Sequence, residues 1–248
     1  NIAIGYHALS AEDGHGKNIA IGYRALQDQN AGANAQNIAI GHEAGKEITT
    51  GIENLIIGGL AGDALTTGSY NIAMGQLALS TEDEGNKSIA IGKNALRLQN
   101  NDGDNYNIGI GHSAGENIST GTQNTIIGGL AGDALTTGAD NVIIGYNAMS
   151  TDDAGGRNVA IGKGALESQN GGDANVFNIG IGYHAGNSMT SGTLNTIIGG
   201  NAGDALTTGS SNIAIGYNAL STEDTGQANI AIGQGALQNA NYDGTAYN

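Results

Sequence analysis

Residues 212–220 read NIAIGYNAL, and variants of this stretch recur along the whole chain. Cutting the sequence before each copy divides its 248 residues into fourteen repeats, most of them 17 residues long and every fourth one longer, at 19 or 20. The repeats therefore group in fours, in a super-repeat of 70 residues that lengthens to 71 in its third copy. They begin at residues 1, 18, 37, 54, 71, 88, 107, 124, 141, 158, 178, 195, 212 and 229. A fixed period of this kind indicates a repeat architecture.

Each repeat predicts one turn of a parallel β-solenoid. Residues two apart point to the same side of a strand, so the second and fourth positions share one side and the third takes the other. Because large apolar residues favour the interior, we expect the second and fourth positions inside and the third outside. The fifth position is always Gly, which permits a bend, and the eighth is always Ala, as in a narrow interior. The predicted fold is all-β, a parallel β-solenoid (β-roll) of about fourteen turns of 17–20 residues, with residues 1–248 forming a single array.

Two columns of the repeat support this register. The ninth position is Leu or Met in the first two repeats of each group and Gly in the other two, where the twelfth position carries the large residue instead. This exchange keeps the apolar volume of every turn nearly constant, as close packing requires. Asn at the first position, in thirteen of fourteen repeats, predicts a stacked amide ladder in which each side chain bonds its copies above and below.

The repeat resembles two known kinds of array. At residues 88–92, SIAIG is similar to the Ser-Val-Ala-Ile-Gly signature of the head repeats of trimeric autotransporter adhesins. NIAIGYNAL at 212–220 and LTTG at 65–68 resemble the Asn-Thr-Ala-Ile-Gly-Tyr-type arrays of bacterial surface proteins and phage tail fibres. The resemblance implies a β-roll, often left-handed and trimeric, that serves as a stalk or an adhesive head. The adhesin repeat is shorter than 17 residues and lacks the 70-residue super-repeat, so handedness and trimerisation are not carried over.

The third position carries no polar residue in any repeat. If it points outward, it forms a continuous apolar stripe, and such stripes usually mark an interface. We therefore expect lateral association between chains through the largest residues of the stripe, unless a loop of the same turn covers it or the coil is flattened. These residues are Ile56, Ile126, Ile143 and Ile197.

Composition excludes several classes of function. With 23 acids against 8 bases the net charge is −15, so the chain lacks the basic footprint of a nucleic-acid binder. No apolar run approaches the ~20 residues of a membrane span, and we expect no membrane insertion. The chain has no cysteine, which excludes disulfides, thiol catalysis and thiolate metal sites. Acid pairs recur every fourth turn, and we expect them to lie in exposed loops that keep the rod soluble.

The candidates for chemistry are few. Asp102 and Asp104 lie in the loop that is richest in carboxylates and amides, which makes them the best calcium candidates, with a solvated turn as the alternative. Tyrosines at the sixth position, among them Tyr6, Tyr146 and Tyr217, could stack on sugars or cover neighbouring turns. Pairs of threonines suggest an ice-binding surface, but carboxylates occupy the same level of other turns and interrupt the column of threonines. No catalytic constellation is present, and we expect neither enzyme activity nor a cofactor.

These observations predict a structural protein: a stiff fibre or filament in an extracellular, cell-surface or virion setting, with adhesion as a second role. The expected partners are further copies of the chain, associated laterally or head to tail, and a surface glycan or receptor. We expect residues 1–248 to be a segment of a longer fibre or the subunit of a filament, since bare solenoid ends expose unpaired strands. The alternative function is a ligand-binding solenoid, either a glycan-binding adhesin head or an ice-binding protein.

Overall fold

The structure, a computed structural model, describes residues 1–14, 16–172 and 175–240. Over these residues the chain is all-β, with three-residue strands, no helix and therefore no helix long and apolar enough to cross a bilayer. The predicted parallel β-solenoid is confirmed. The chain divides into two compact parts, here called the N-terminal half (Asn1–Gln123) and the C-terminal half (Asn124–Asn248).

The N-terminal half contains seven parallel strands, which pair with one another in chain order. Equivalent positions of the repeat lie opposite one another, as Ala39 does with Ile56, so the predicted register is correct. The strands are β1 (Ile2–Ile4), β2 (Ile19–Ile21), β3 (Ile38–Ile40), β4 (Leu55–Ile57), β5 (Ile72–Met74), β6 (Ile89–Ile91) and β7 (Ile108–Ile110).

The C-terminal half repeats this arrangement with seven further parallel strands. Ile126 pairs with Ile143, and Ile143 with Ala160, again position for position. The strands are β8 (Thr125–Ile127), β9 (Val142–Ile144), β10 (Val159–Ile161), β11 (Ile179–Ile181), β12 (Thr196–Ile198), β13 (Ile213–Ile215) and β14 (Ile230–Ile232).

The chain turns back on itself by repeated use of positive φ angles. The fifth-position glycine bends the strand, with φ +138° at Gly58. The seventh and ninth positions are left-handed even where they are not glycine, as at Arg24 (φ 56°) and Leu26 (φ 47°). An L-residue in this region costs roughly 1–2 kcal/mol, so stacking between turns must offset that cost. The interchange of Leu and Gly at the ninth position is a sequence signal of this conformation.

The prediction for the two faces of the strand is wrong. The third position lies inside: Ile56, Ile126, Ile143 and Ile197 are fully buried, each with 0% of its surface exposed. The second and fourth positions point outward and are half-buried or exposed along the strands. The four isoleucines therefore form part of the core and cannot be the lateral interface proposed from the sequence.

The physical reason is the narrowness of the coil. Where the third position is Gly109, an added Cβ would lie 2.7 Å from Cγ of Leu96, because that leucine already fills the space. Where it is Ile56, the ninth position is Gly62, and a Cβ there would lie 3.1 Å from Cδ1 of Ile56. The interior thus accepts a large side chain at the third position only where another position gives up its volume.

The predicted exchange between the ninth and twelfth positions is confirmed. Leu26 and Ile48, a ninth-position and a twelfth-position residue, are both fully buried. A Cβ on Gly45, the ninth residue of the turn that contains Ile48, would lie 2.9 Å from Cδ1 of Ile48. The two positions therefore supply the same region of the core from opposite directions.

The first-position asparagines form a buried column, as predicted, but their bonds differ from a simple amide ladder. The N–H of Asn54 donates to Oδ1 of Asn37 at 2.8 Å, and Nδ2 of Asn54 donates to the carbonyl of Gly68 in its own turn at 2.9 Å. In the C-terminal half the amide also reaches its copy, as Nδ2 of Asn212 does to Oδ1 of Asn195 at 3.2 Å. An asparagine that makes both bonds therefore ties its turn to a neighbour and closes its own turn.

Candidate functional surfaces

The outward side of the strands is an apolar surface. The second and fourth positions are Ile in most repeats and otherwise Leu, Val, Met or Thr. These side chains stand in register from strand to strand, as Ile127, Ile144 and Ile161 do in β8, β9 and β10. Because the third position faces the core, the two outward columns are the only apolar side chains that the strands present to solvent within the described residues.

Aromatic residues border these columns. Tyr6, Tyr146 and Tyr217, predicted as sugar-stacking residues, are exposed to 64%, 52% and 55%. Tyr146 also lies beside the neighbouring turn, since a Cβ on Gly129 would be 3.6 Å from its Cδ2 atom. Tyr146 and Tyr217, which lie beside a sixth-position glycine, therefore cover part of the preceding turn while keeping much of the ring exposed.

One group of rings is stacked along the N-terminal half. Tyr6 and Tyr23 lie with centroids 5.6 Å apart at 13°, and Tyr23 and His42 lie 5.2 Å apart at 14°. The guanidinium of Arg24 sits 5.0 Å from the centroid of Tyr23. Sequence reasoning grouped the tyrosines but missed the histidine, which occupies the same sixth position of its repeat.

A second aromatic column lies at the residue immediately before each first-position Asn. Its aromatic members are Tyr70, Tyr106 and Phe177, and Leu194 stands at the same position; all four are exposed. Lys87 lies over the ring of Tyr106 at 5.1 Å, and Arg157 lies over Phe177 at 5.6 Å. The sequence reasoning missed this column because it precedes the recurring NIAIGYNAL stretch, although its residues recur at the same place in the repeat.

The calcium candidates are arranged differently from a cation site. Asp104 Oδ2 accepts a hydrogen bond from Nζ of Lys87 at 2.6 Å and one from the hydroxyl of Tyr106 at 3.2 Å. The bond from Lys87 lowers the pKa of Asp104. Asp102 is exposed. The ammonium of Lys87 thus neutralises Asp104, while residues 1–14, 16–172 and 175–240 contain no cluster of three or more metal-binding side chains and no pocket.

The threonine pairs are divided between two tasks. The first member uses its hydroxyl within the coil, as Thr66 Oγ1 does when it donates to the carbonyl of Asp83 at 3.1 Å. The second member is exposed, as at Thr67, Thr137 and Thr208. Half of the hydroxyls in these pairs therefore serve the main chain of the next turn.

The acid pairs of the first repeat in each group are not both exposed, contrary to the expectation. Glu82, Asp152 and Glu223, the first members of their pairs, are fully buried. Each carboxylate accepts a hydrogen bond from the N–H of the glycine three residues later, as Asp152 Oδ1 does from Gly155 at 2.8 Å. The Glu/Asp-x-x-Gly spacing was the available signal for this role, which is to cap a tight loop.

Burial changes the acidity of these groups. Desolvation raises the pKa of Glu82, although hydrogen bonds from Gln99 and Gly85 oppose the shift. Desolvation likewise raises the pKa of Asp152 from the usual 3.8 to about 6. Asp152 has fewer hydrogen-bond partners than Glu82, because its side chain is one methylene shorter. Its Oδ2 finds no hydrogen-bond partner among the described residues.

Raising the pH from about 4 to about 6 is therefore expected to destabilise the C-terminal half. The folded state binds the proton of Asp152 more tightly than the unfolded chain does, so this contribution to stability is present at low pH and is lost as the pH rises towards the folded pKa. A shift from 3.8 to about 6 corresponds to a loss on the order of 3 kcal/mol. Urea unfolding followed by circular dichroism across this pH range measures it.

Asp152→Asn keeps the acceptor for Gly155 and removes the titration, so its stability should depend less on pH than that of the wild type. Asp153→Asn, at the exposed neighbour, removes the same charge and serves as the matched control. Wild-type and Asp152→Asn curves that run parallel from pH 4 to 6 would contradict the assignment.

Comparison with protein-family models, with curated proteins and with solved structures gives no match to this chain.

Proposed function

We propose that this protein is a structural element: a stiff segment of an extracellular, cell-surface or virion fibre that assembles with further copies of itself. The observation that carries the proposal is the register of the strands. In each half, seven successive strands pair position for position, and the buried asparagine column joins the turns a second time. Two independent sets of hydrogen bonds between the same turns resist bending and sliding.

The rest of the molecule fits a mechanical role. Many of its polar side chains hold the coil together: asparagines, threonines and the buried acids bond main-chain groups of the same or the next turn. The resemblance of the repeats to adhesin heads and fibre arrays supports a location on a surface. The net charge of −15 favours a soluble, mutually repelling rod wherever apolar surface is not in contact.

Stiffness can be measured directly, because the chain has no cysteine and can be labelled at chosen sites. His42 and His112 are exposed, occupy equivalent positions and are four turns apart. Spin labels on the double variant His42→Cys/His112→Cys should report a narrow distance distribution, around the ~19 Å that four strand spacings of about 4.8 Å give between the Cα atoms. A broad distribution in buffer, equal to that of the same sample in urea, would contradict a stiff rod.

The biological setting needs a separate experiment. Antibodies raised against the chain should label fibres on the intact cell or particle that makes it, in electron micrographs of unpermeabilised samples. Labelling that appears only after the envelope is opened would contradict a surface location, whatever the stiffness of the rod.

Glycan binding is the second candidate, favoured by the exposed ring stack of Tyr6, Tyr23 and His42. Aromatic faces of this kind are suitable for stacking on sugars. Binding of the wild-type chain to a glycan array, with loss of the signal in Tyr6→Ala/Tyr23→Ala, would support it. A passive fibre segment should give no signal with either protein.

A further inference from the structure

Exposed apolar side chains are confined to one surface of the repeat. Among the described residues, every exposed large apolar side chain stands at one of four positions: the residue before the first-position Asn, the second, the fourth or the sixth. We call these four columns the outer sheet face. They include exposed residues well inside each half, such as Ile40 and Tyr70 in one and Tyr183 in the other. The large apolar residues of the other columns are buried or half-buried.

Acids are nearly excluded from the same surface. Only two of the described acids, Glu53 and Asp140, stand at positions of the outer sheet face, and Arg157 pairs with Asp140 at 3.4 Å. Five of the 8 bases stand there: Lys17, Lys87, Lys93, Arg157 and Lys163. A chain of net charge −15 thus has one surface that is apolar, aromatic and free of net negative charge.

This segregation fits contact with a second copy of the same chain. Two molecules that are acidic elsewhere repel least when these surfaces meet, because the acids then remain far apart and in water. A polyanion such as an acidic polysaccharide would meet the bases of this face but also the field of the remaining acids. The observations therefore favour a second copy.

The size of the surface is sufficient. Seven strands spaced by ~4.8 Å and seven residues of ~3.3 Å rise give each half a face of roughly 34 Å by 23 Å, or about 780 Å², which is close to the ~800 Å² that each partner contributes to a standard protein–protein interface. Enrichment in Tyr and Phe is also typical of interface cores.

We infer that the outer sheet face is a self-association surface on which a second copy of this chain docks, face against face. The inference rests on the proposed fibre function and identifies the surface through which it would assemble. The outward isoleucines of the strands supply the dry centre of the contact. The tyrosines and Phe177 extend it, and the four lysines and Arg157 stand at its margin, where they can reach acids of the partner copy.

Sedimentation of the full chain over a range of concentrations tests this inference. The wild type should exceed its monomer mass of 24.7 kDa. A face variant, with Ile57, Ile91, Ile144 and Ile215 all changed to Lys, should dissociate at least ~100-fold more easily, because four charges would be buried in the contact. A control variant with Thr67, Thr120, Thr137 and Thr208 changed to Lys adds the same charge at exposed positions elsewhere. It should associate like the wild type.

Salt gives an independent readout. Association should strengthen as sodium chloride is raised from about 0.01 M to 0.15 M, because the screening length falls from ~30 Å to ~8 Å and the repulsion between acidic molecules weakens. Association held together by ion pairs would weaken instead, and that result would overturn the inferred apolar contact.

Two checks distinguish a variant that fails to fold from one that folds but fails to associate. Circular dichroism checks each variant, and if the face variant fails to fold, the changes Tyr106→Ser, Tyr146→Ser, Phe177→Ser and Tyr217→Ser replace it, since these residues lie outside the strands. A wild type that stays monomeric, or equal weakening in the face and control variants, would overturn the inference. A stiff but monomeric rod would leave the role of a fibre segment standing without its self-assembly, and binding of heparin to such a monomer would assign the face to a polyanion.

Discussion

Changing Ile143 to Lys is expected to unfold the C-terminal half, whereas the same change at its neighbour Ile144 should cost about 1 kcal/mol or less. Ile143 is fully buried between β8 and β10, and Cδ1 of Ile143 lies 2.9 Å from where a Cβ on Gly132 would be. A lysine there loses the packing of a buried isoleucine, roughly 2–5 kcal/mol, and also places an ammonium in an apolar interior, which adds several kcal/mol. At Ile144 the side chain points outward and the charge remains in water.

The measurement is the urea midpoint of each variant in dilute solution, where association does not add to the apparent stability. Ile143→Ala and Ile144→Ala form a milder pair, in which the buried change should cost at least ~2 kcal/mol and the outward one less. Equal losses at the two positions would contradict the inward orientation of the third residue, and a larger loss at Ile144 would restore the original expectation from the sequence.

Changing Gly58 to Ala is expected to cost at least ~3 kcal/mol, while Gly59→Ala should be neutral or slightly stabilising. Gly58 has φ +138°, and a Cβ there would lie 2.5 Å from the carbonyl oxygen of Gly75 and 2.7 Å from its carbon. Both atoms belong to the main chain of the next turn, so relief would require the turns to separate. At Gly59 an added Cβ meets no atom within 4 Å, and its φ lies outside the strained region.

These adjacent glycines belong to one turn, so each serves as the other's control in thermal and urea unfolding of the N-terminal half. Gly128 and Gly129 form the equivalent pair in the other half, where the first has φ +138° and the second makes only an ordinary contact with Tyr146. If both members of a pair tolerate alanine, the close stacking of the fifth-position bends is not what fixes the spacing of the turns.

The period, the strands, the register and most of the core could be predicted from the sequence because each is repeated many times. The orientation of the strand could not be predicted by placing the larger residues inside. The interior already holds the eighth-position alanine and a large residue from the ninth or twelfth position, so it has space left for Ala or Gly at the third, and for Ile56 only beside Gly62. The buried asparagine was the missed clue, since the first and third positions of a strand share a side.

The candidate surfaces were predicted less well, for a related reason. An exposed apolar stripe was expected and one exists, but on the opposite side of the strand. The tyrosines at the sixth position were identified because they lie within the recurring NIAIGYNAL stretch, whereas Tyr106 and Phe177 precede it and were missed. Glu82 and Asp152 look like solubilising charges in a sequence unless the glycine three residues later is recognised as the N–H donor to their inward-turned carboxylates.

The asparagine column has an evolutionary consequence. Because each asparagine bonds only its own turn and the adjacent one, a turn requires nothing from distant parts of the chain except a neighbour with the same donors and acceptors. Unequal recombination between copies of the 70-residue block can therefore insert or delete four windings at once and leave every junction matched. Length becomes a property that genetic drift and selection can adjust without redesigning any side chain.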